Sequence, residues 1–387
     1  MKQIGRWLGS TALLVGTPLA AQEVPLGPAT AVHPADFAVV NSVRELPDGR
    51  VFVADPMALV FVLIDADLQR ADTVGSEGEG PDEYRQPDAV WPLPGDSTLL
   101  VDLGNARLTA VGPDGGFGGT APMTLGGGAA GAPPAVVIPG GVDGDGRIHF
   151  AGMPEMTAAG PSDSVTVLRL TRDGAPETVA RVKTTSYTSN TSGSADNRSV
   201  DIRPVPLSAT DVWAASGDGA LFVARAGERR VERIGPDGST VRGAAVEMAP
   251  VPIRRAEMEE WAADRQTAGG GIGIQITEVN GRRSMSMQRG GGPDPDLDGF
   301  TWPDAKAPWV ANSGSVDADG RFWVRRSRPA GEAALYDVFG ADGNHLSAVR
   351  FPSDRVLVGF GADALYAVHV DPFDLKVLER YPLPDLR

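Results

Sequence analysis

The sequence predicts an all-β fold, a six-bladed β-propeller, and three observations predict it. Short β-branched and aromatic runs recur along the chain, each bounded by Gly, Asp, Asn or Pro. Where nothing is inserted, the runs repeat as a unit of about 43–50 residues, the size of one four-stranded blade. The 49 glycines and 32 prolines are scattered between the apolar runs, as many tight turns between short strands require.

The chain begins "MKQIGRWLGSTALLVGTPLAAQE". Lys2 and Arg6 precede a short apolar core, and Ala20 and Ala21 are small enough for cleavage, so residues 1–21 read as a signal peptide. The apolar run is well short of the roughly 20 residues of a membrane span, and no later run is longer. No cysteine follows it, so no lipid anchor is expected, and the exported chain should be periplasmic or extracellular.

Residues 22–387 carry the repeat. The second strand of each unit is the clearest element: "RVFVAD" (50–55), "STLLVD" (97–102), "RIHFAG" (147–152), "ALFVAR" (220–225), "RFWVRR" (321–326) and "ALYAVH" (364–369). A Gly- or Asp-containing turn precedes every copy, and a third strand follows in most, often ending in Asp-Gly. Val43, Trp91, Trp213 and Val358 mark the first strands. The last copy, from Val356, supplies only three strands, so "GPATAVHP" (27–34) is expected to return and complete blade six as its outer strand.

Two spacings are longer than the period. "TTSYTSNTSGSADNRS" (184–199) is polar, without apolar periodicity, and reads as a mobile loop or a strand with a disordered tip. The other insertion, about 249–313, lies between blades four and five. "PIRRAEMEEWAADRQ" (252–266) fits an amphipathic helix with Pro252 in its first turn. The following "GGGIGIQITEVNGRRSMSMQ" fits a hairpin turning at Asn-Gly, and "RGGGPDPDLDG" a flexible acidic loop. Trp261 and Met258 are costly to expose, so the helix should pack on the propeller, either over the channel or on its outer side.

"GSEGEGPDEYRQP" (75–87) falls between the third strand of blade one and the first strand of blade two. It lacks the Gly-Lys-Ser/Thr ending of a phosphate loop and carries Glu77, Glu79, Asp82 and Glu83, which repel phosphate. It reads as a connector. Together with "LLVDLGNARLTAVGPDG" (99–115) it resembles the exported bacterial six-bladed propellers related to NHL-repeat proteins. The family's turn motif matches at Asp102, Asn105, Arg107 and Leu108, with Asp82 standing where the family has glycine. The resemblance covers most of the mature chain and implies the fold. It implies little about activity.

Composition excludes several functions. With no cysteine, the chain can form no disulfide, thiolate metal site or cysteine nucleophile. The formal charge of −15, more negative once the leader leaves, makes nucleic acid and anionic membranes poor partners. The four histidines, His33, His149, His345 and His369, fall at no metal-binding spacing, and no Gly-x-Ser-x-Gly elbow is present. His149 aligns with Phe52, Leu99, Phe222, Trp323 and Tyr366 and reads as core. The paired aspartates of "VDGDG" (142–146) and "VDADG" (316–320) read as turns, and calcium is the ion they could accept. No metal ligand set or other cofactor is expected.

The candidate site is the rim where the second strands end: Asp55, Asp102, Arg225, Arg326 and His369, with Trp261 from the insertion above it. These residues could hold a polar ligand or could be turn caps and inter-blade ion pairs. The expectation is a monomeric, non-catalytic propeller that binds a polar small molecule, a glycan or a protein at its channel face. The alternative is a metal-dependent lactonase or lyase with its site in the channel.

Overall fold

The computed structural model describes residues 23–125, 135–157, 160–170, 174–194, 197–267, 271–279, 282–290 and 296–386. The leader lies outside the described residues. Six sheets, each with four antiparallel strands and one with a fifth, follow one another round a central channel. Blade one holds Val43–Glu45, Val51–Asp55, Val60–Ile64 and Ala71–Thr73; blade two, Pro87–Pro92, Thr98–Asp102, Arg107–Val111 and Phe117–Pro122. Blade three holds Gly141–Val142, Ile148–Ala151, Ser164–Leu170 and Pro176–Lys183; blade four, Val212–Ala215, Leu221–Arg225, Arg230–Ile234 and Thr240–Arg242. Blade five is built from Ser315–Val316, Phe322–Arg326, Leu335–Phe339 and His345–Arg350, and blade six from Arg355–Phe360, Ala364–Val370, Lys376–Pro382 and Ala31–Phe37.

The second strands read as unbroken apolar runs because both faces of each blade are covered by a neighbour. Every residue of Val51–Asp55 and Thr98–Asp102 is buried. Among the described residues the core divides into six clusters, one at each blade interface. Phe52, Phe61, Val90 and Leu100 join blades one and two, for example, and Phe222, Phe322 and Phe339 join four and five. Phe222 stacks on Phe322 at 5.4 Å with the rings nearly parallel. His149 is fully buried in the aligned core column, as expected.

The N-terminal segment closes the ring. Ala31–Phe37 pairs antiparallel with Lys376–Pro382 as the outer strand of blade six, and Phe37 is buried between blades six and one. A second contribution was not legible in the sequence. Glu23–Pro25 runs parallel to His345–Arg350 as a fifth strand of blade five, and Leu26 packs between blades five and six. One segment therefore binds two adjacent blades.

The polar stretch after blade three forms a hairpin, Tyr187–Ser194 with Asn197–Pro204, the strand of the two alternatives rather than the loop; residues 195–196 at its tip lie outside the described residues. In the second insertion the helix spans Arg255–Thr267. Pro252 lies before it, bridged to Ala305. The start is set by Glu257, whose Oε2 accepts the Arg254 backbone N–H at 3.0 Å, the return bond of a capping box. The hairpin Gly271–Val279 with Arg282–Gly290 follows; its Asn-Gly turn and residues 291–295 of the acidic loop after it lie outside the described residues.

Candidate functional site: the channel mouth under a strap

Second strands end, and first strands begin, on one face of the ring. The 252–309 insertion crosses that face. At blade five, Ala330 N–H donates to Glu257 Oε1 (3.1 Å), Gly331 N–H to Glu260 Oε1 (3.0 Å), and Lys306 Nζ to Glu260 Oε2 (2.7 Å). At blade two, diametrically opposite in a ring of six, Gln86 and the Arg289 backbone exchange two hydrogen bonds (2.9 and 2.7 Å), and the Arg289 guanidinium pairs with buried Asp88. Met287 enters the core between blades two and three. Arg203, on the other inserted hairpin, donates to Gly299 O at 3.0 Å and ties the strap to blade four's side.

A channel of about 2560 Å³ runs beneath the strap and down to the turns of the far face. That is several times a small-ligand pocket, so a ligand would fill only part of it. The helix presents Trp261 and Asp264, one turn apart, to this space. Trp261 is held edge-on by Phe300 and Trp302, each at 5.4 Å, with the Arg265 guanidinium 5.9 Å from its ring centre. Arg325 lines the same space from blade five. Enclosure by protein raises the Asp264 carboxyl above its usual range, although its surface is open to the channel; Glu260 adds to the rise, while Arg325 and Lys306 oppose it.

The structure separates the rim residues that the alignment grouped. Trp261, Arg326 and His369 line the channel; Asp55, Asp102 and Arg225 are not among its lining residues. Asp55 accepts backbone N–H groups from Ala38, Val39, Met57 and Ala58, tying the incoming chain to the end of its own second strand. Asp102 does the same for Arg85, Gln86 and Asn105. Arg225 bridges Asp211 (2.9 Å) and Glu232 (2.8 Å). Their bonding capacity is spent on the frame. Arg326, though it reaches the channel, pairs with Asp337, whose buried carboxylate also accepts from Trp309 Nε1 (2.9 Å) and lies 2.9 Å from His345 Nε2. Burial alone would raise Asp337; the bonds to His345 and Arg326 outweigh it and hold the carboxyl below its usual range. His369 has no side-chain partner among the described residues.

Arg325 was missed because it sits one residue before the aligned column. Side chains alternate along a strand, so in the Arg325-Arg326 pair one turns to the blade-four side and the other to the blade-six side. The doublet itself was the available signal.

The remaining candidates are structural. In the 142–146 turn, Asp143 Oδ1 accepts N–H groups from Asp145 and Arg147, and Oδ2 takes the Arg147 guanidinium at 2.8 Å. In the 316–320 turn, Asp317 makes the matching bonds to Asp319 and Arg321, and Trp323 Nε1 donates to it at 2.8 Å. The 75–87 crossing is held from blade two: Asn105 donates to Gly78 O at 2.8 Å, Arg107 to Gly80 O at 3.0 Å, and buried Tyr84 receives the Phe61 N–H at 3.2 Å. Among the described residues no three His, Asp or Glu side chains are grouped to hold a metal ion, and no helix is long and apolar enough to cross a membrane.

No protein-family model matches the chain, and no curated protein matches it. Many solved structures are similar in shape. Virginiamycin B lyase from Staphylococcus aureus is 11% identical with a TM-score of 0.40, the match covering 94% of this chain and 99% of that one. A DUF4221-family protein from Bacteroides vulgatus is 12% identical (TM-score 0.42; 94% and 98% covered). The calcium-binding protein regucalcin from Agrobacterium tumefaciens is 13% identical (TM-score 0.38; 95% and 100% covered). Likeness at this level carries no argument about chemistry. The strand pairing itself makes this chain a six-bladed β-propeller with its ring closed by the N-terminal segment.

Proposed function

We propose that this propeller binds a small polar ligand, without transforming it, at the channel mouth beneath the strap. The observation that carries this reading is the placement of the insertion. Its helix turns Trp261 and Asp264 into the channel, and its hairpin is anchored on the opposite blade through Gln86 and Asp88. A long insertion fixed at both ends across the mouth of a cavity selects what enters and shields what has bound. An aromatic face with a few polar groups is the usual make-up of such a site. A glycan end or a protein's side chain could use the same opening.

The test is a thermal-shift screen of sugars, organic acids, lactones and peptides, followed by titration of Trp261→Ala and His369→Ala. A ligand that stabilises the protein and binds at least tenfold more weakly to Trp261→Ala supports the reading. Unchanged affinity in both variants places the site elsewhere. Metal analysis before and after chelation addresses the enzyme alternative. A stoichiometric, chelator-sensitive Ca²⁺ or Zn²⁺, with turnover of a lactone or cyclic peptide, would establish a metal-dependent lactonase or lyase instead.

A further inference from the structure

This inference rests on the binding site just proposed and concerns the class of ligand. The chain has 50 acidic and 35 basic residues, so arginines find acids easily. Around the mouth they do. Arg326 pairs with Asp337, Arg355 with Glu379, Arg289 with Asp88, Arg328 with Glu332, and Lys306 with Glu260. Arg325 and Arg265 are the exceptions: among the described residues neither makes an ion pair or side-chain hydrogen bond, and Arg265 lies against Trp261 while Arg325 stands clear of it. Arg325 is only partly buried and faces the channel. Its cross-strand neighbour Tyr336 is already engaged, with its hydroxyl accepting the Leu357 N–H at 3.1 Å. Asp264, on the strap, lines the same channel and also has no hydrogen-bond partner among the described residues. The two are near enough for their charges to interact but do not touch.

A guanidinium and a carboxylate that line one cavity close together without pairing form a complementary pair of receptors. Arg325 offers two parallel N–H donors, which match a planar carboxylate. Asp264 offers an acceptor to whatever donor lies beside that carboxylate. Trp261, one turn before Asp264, adds a flat apolar wall. We infer that the mouth recognises a small organic acid carrying a hydrogen-bond donor next to its carboxylate: an α-amino or α-hydroxy acid, free or at the end of a short peptide. The carboxylate lies on Arg325, the ammonium or hydroxyl on Asp264, and the side chain against Trp261.

Calorimetric titration at pH 7 tests this with free amino acids, the matching 2-hydroxy acids, simple carboxylates without the donor, and the methyl esters of the amino acids. Amino and hydroxy acids should bind; the esters and the donor-free carboxylates should bind at least tenfold more weakly. Arg325→Ala and Arg325→Gln should lower affinity for every acid by about 10- to 100-fold, the range for one charge-assisted hydrogen-bonded contact. Both variants should fold, since Arg325 makes no ion pair, and an unchanged thermal midpoint checks that. Asp264→Asn should weaken amino acids more than hydroxy acids. The inference is overturned if no amino or hydroxy acid binds at millimolar concentration, or if those that bind are unaffected by Arg325→Ala. A neutral sugar that binds the wild type and is lost in Trp261→Ala, but not in Arg325→Ala, overturns the ligand class and leaves the site standing. Loss in neither variant removes both.

Discussion

Closure by the N-terminal strand can be tested with two substitutions on that strand. Phe37 is 6% exposed and lies between blades six and one, among Val43, Val53 and Leu378. It also stacks on His33 at 5.6 Å, and His33 Nδ1 bonds to Leu68 O at 2.8 Å, so the ring lies over the seam where first and last blades meet. Val32, on the same strand, is 45% exposed. Phe37→Ala removes buried apolar surface and leaves a cavity, at a cost of about 3–5 kcal/mol. With a slope of roughly 5 kcal/mol per molar guanidinium chloride, the unfolding midpoint falls by about 0.6–1 M. Val32→Ala should cost no more than about 0.5 kcal/mol. The assay is denaturant unfolding followed by tryptophan fluorescence and circular dichroism. Equal midpoints for Phe37→Ala and wild type would show that this strand does not close the ring, because a closing strand cannot lose its buried anchor without loosening the seam.

Two further predictions concern the frame and the strap. Burial alone would raise the Asp143 carboxyl, but hydrogen bonds from His149 and Arg147 outweigh it and hold the group at about 2 against an ordinary 3.8. A depressed carboxyl stabilises the fold fully above its unfolded value and loses that contribution as pH falls through its folded one. Asp143→Asn should therefore cost about 2 kcal/mol at pH 7, and the gap from wild type should close between about pH 4 and pH 2; a gap that stays constant to pH 2 contradicts this. Asp88→Ala leaves the partly buried Arg289 guanidinium without this carboxylate, so the strap's far anchor should open. Amide exchange in Arg282–Gly290 should quicken about tenfold or more while blade five is unchanged, and an unaltered rate there would show that Met287 and Gln86 suffice.

The fold was legible because each second strand is stacked on both sides. Double burial writes a continuous apolar run, as in "VFVAD" and "TLLVD", and Asp-Gly turns mark its ends. Closure was legible from a missing strand in the last repeat. The hairpin from Tyr187 could not be told from a loop, since its Ser, Thr and Asn residues carry no apolar alternation. The strap's far anchor was not legible: Arg289 and Asp88 are 201 residues apart, and a single polar pair has no period to detect. The rim was only half legible. Alignment found the strand ends, but not which charges were already matched, and that is decided by residues such as Asp337 on the neighbouring strand and Asp211 just before another.

The central claim is that the mouth under the strap is where this propeller meets its ligand. Differential hydrogen–deuterium exchange, with and without the tightest ligand from the screen, tests it most directly. Exchange should slow in the helix Arg255–Thr267, the strand Phe322–Arg326 and the adjoining start of Arg355–Phe360, with the turns near residues 47–49, 94–96 and 217–219 unchanged. Protection confined to those far-face turns, or to the outer strands of the blades, would contradict it.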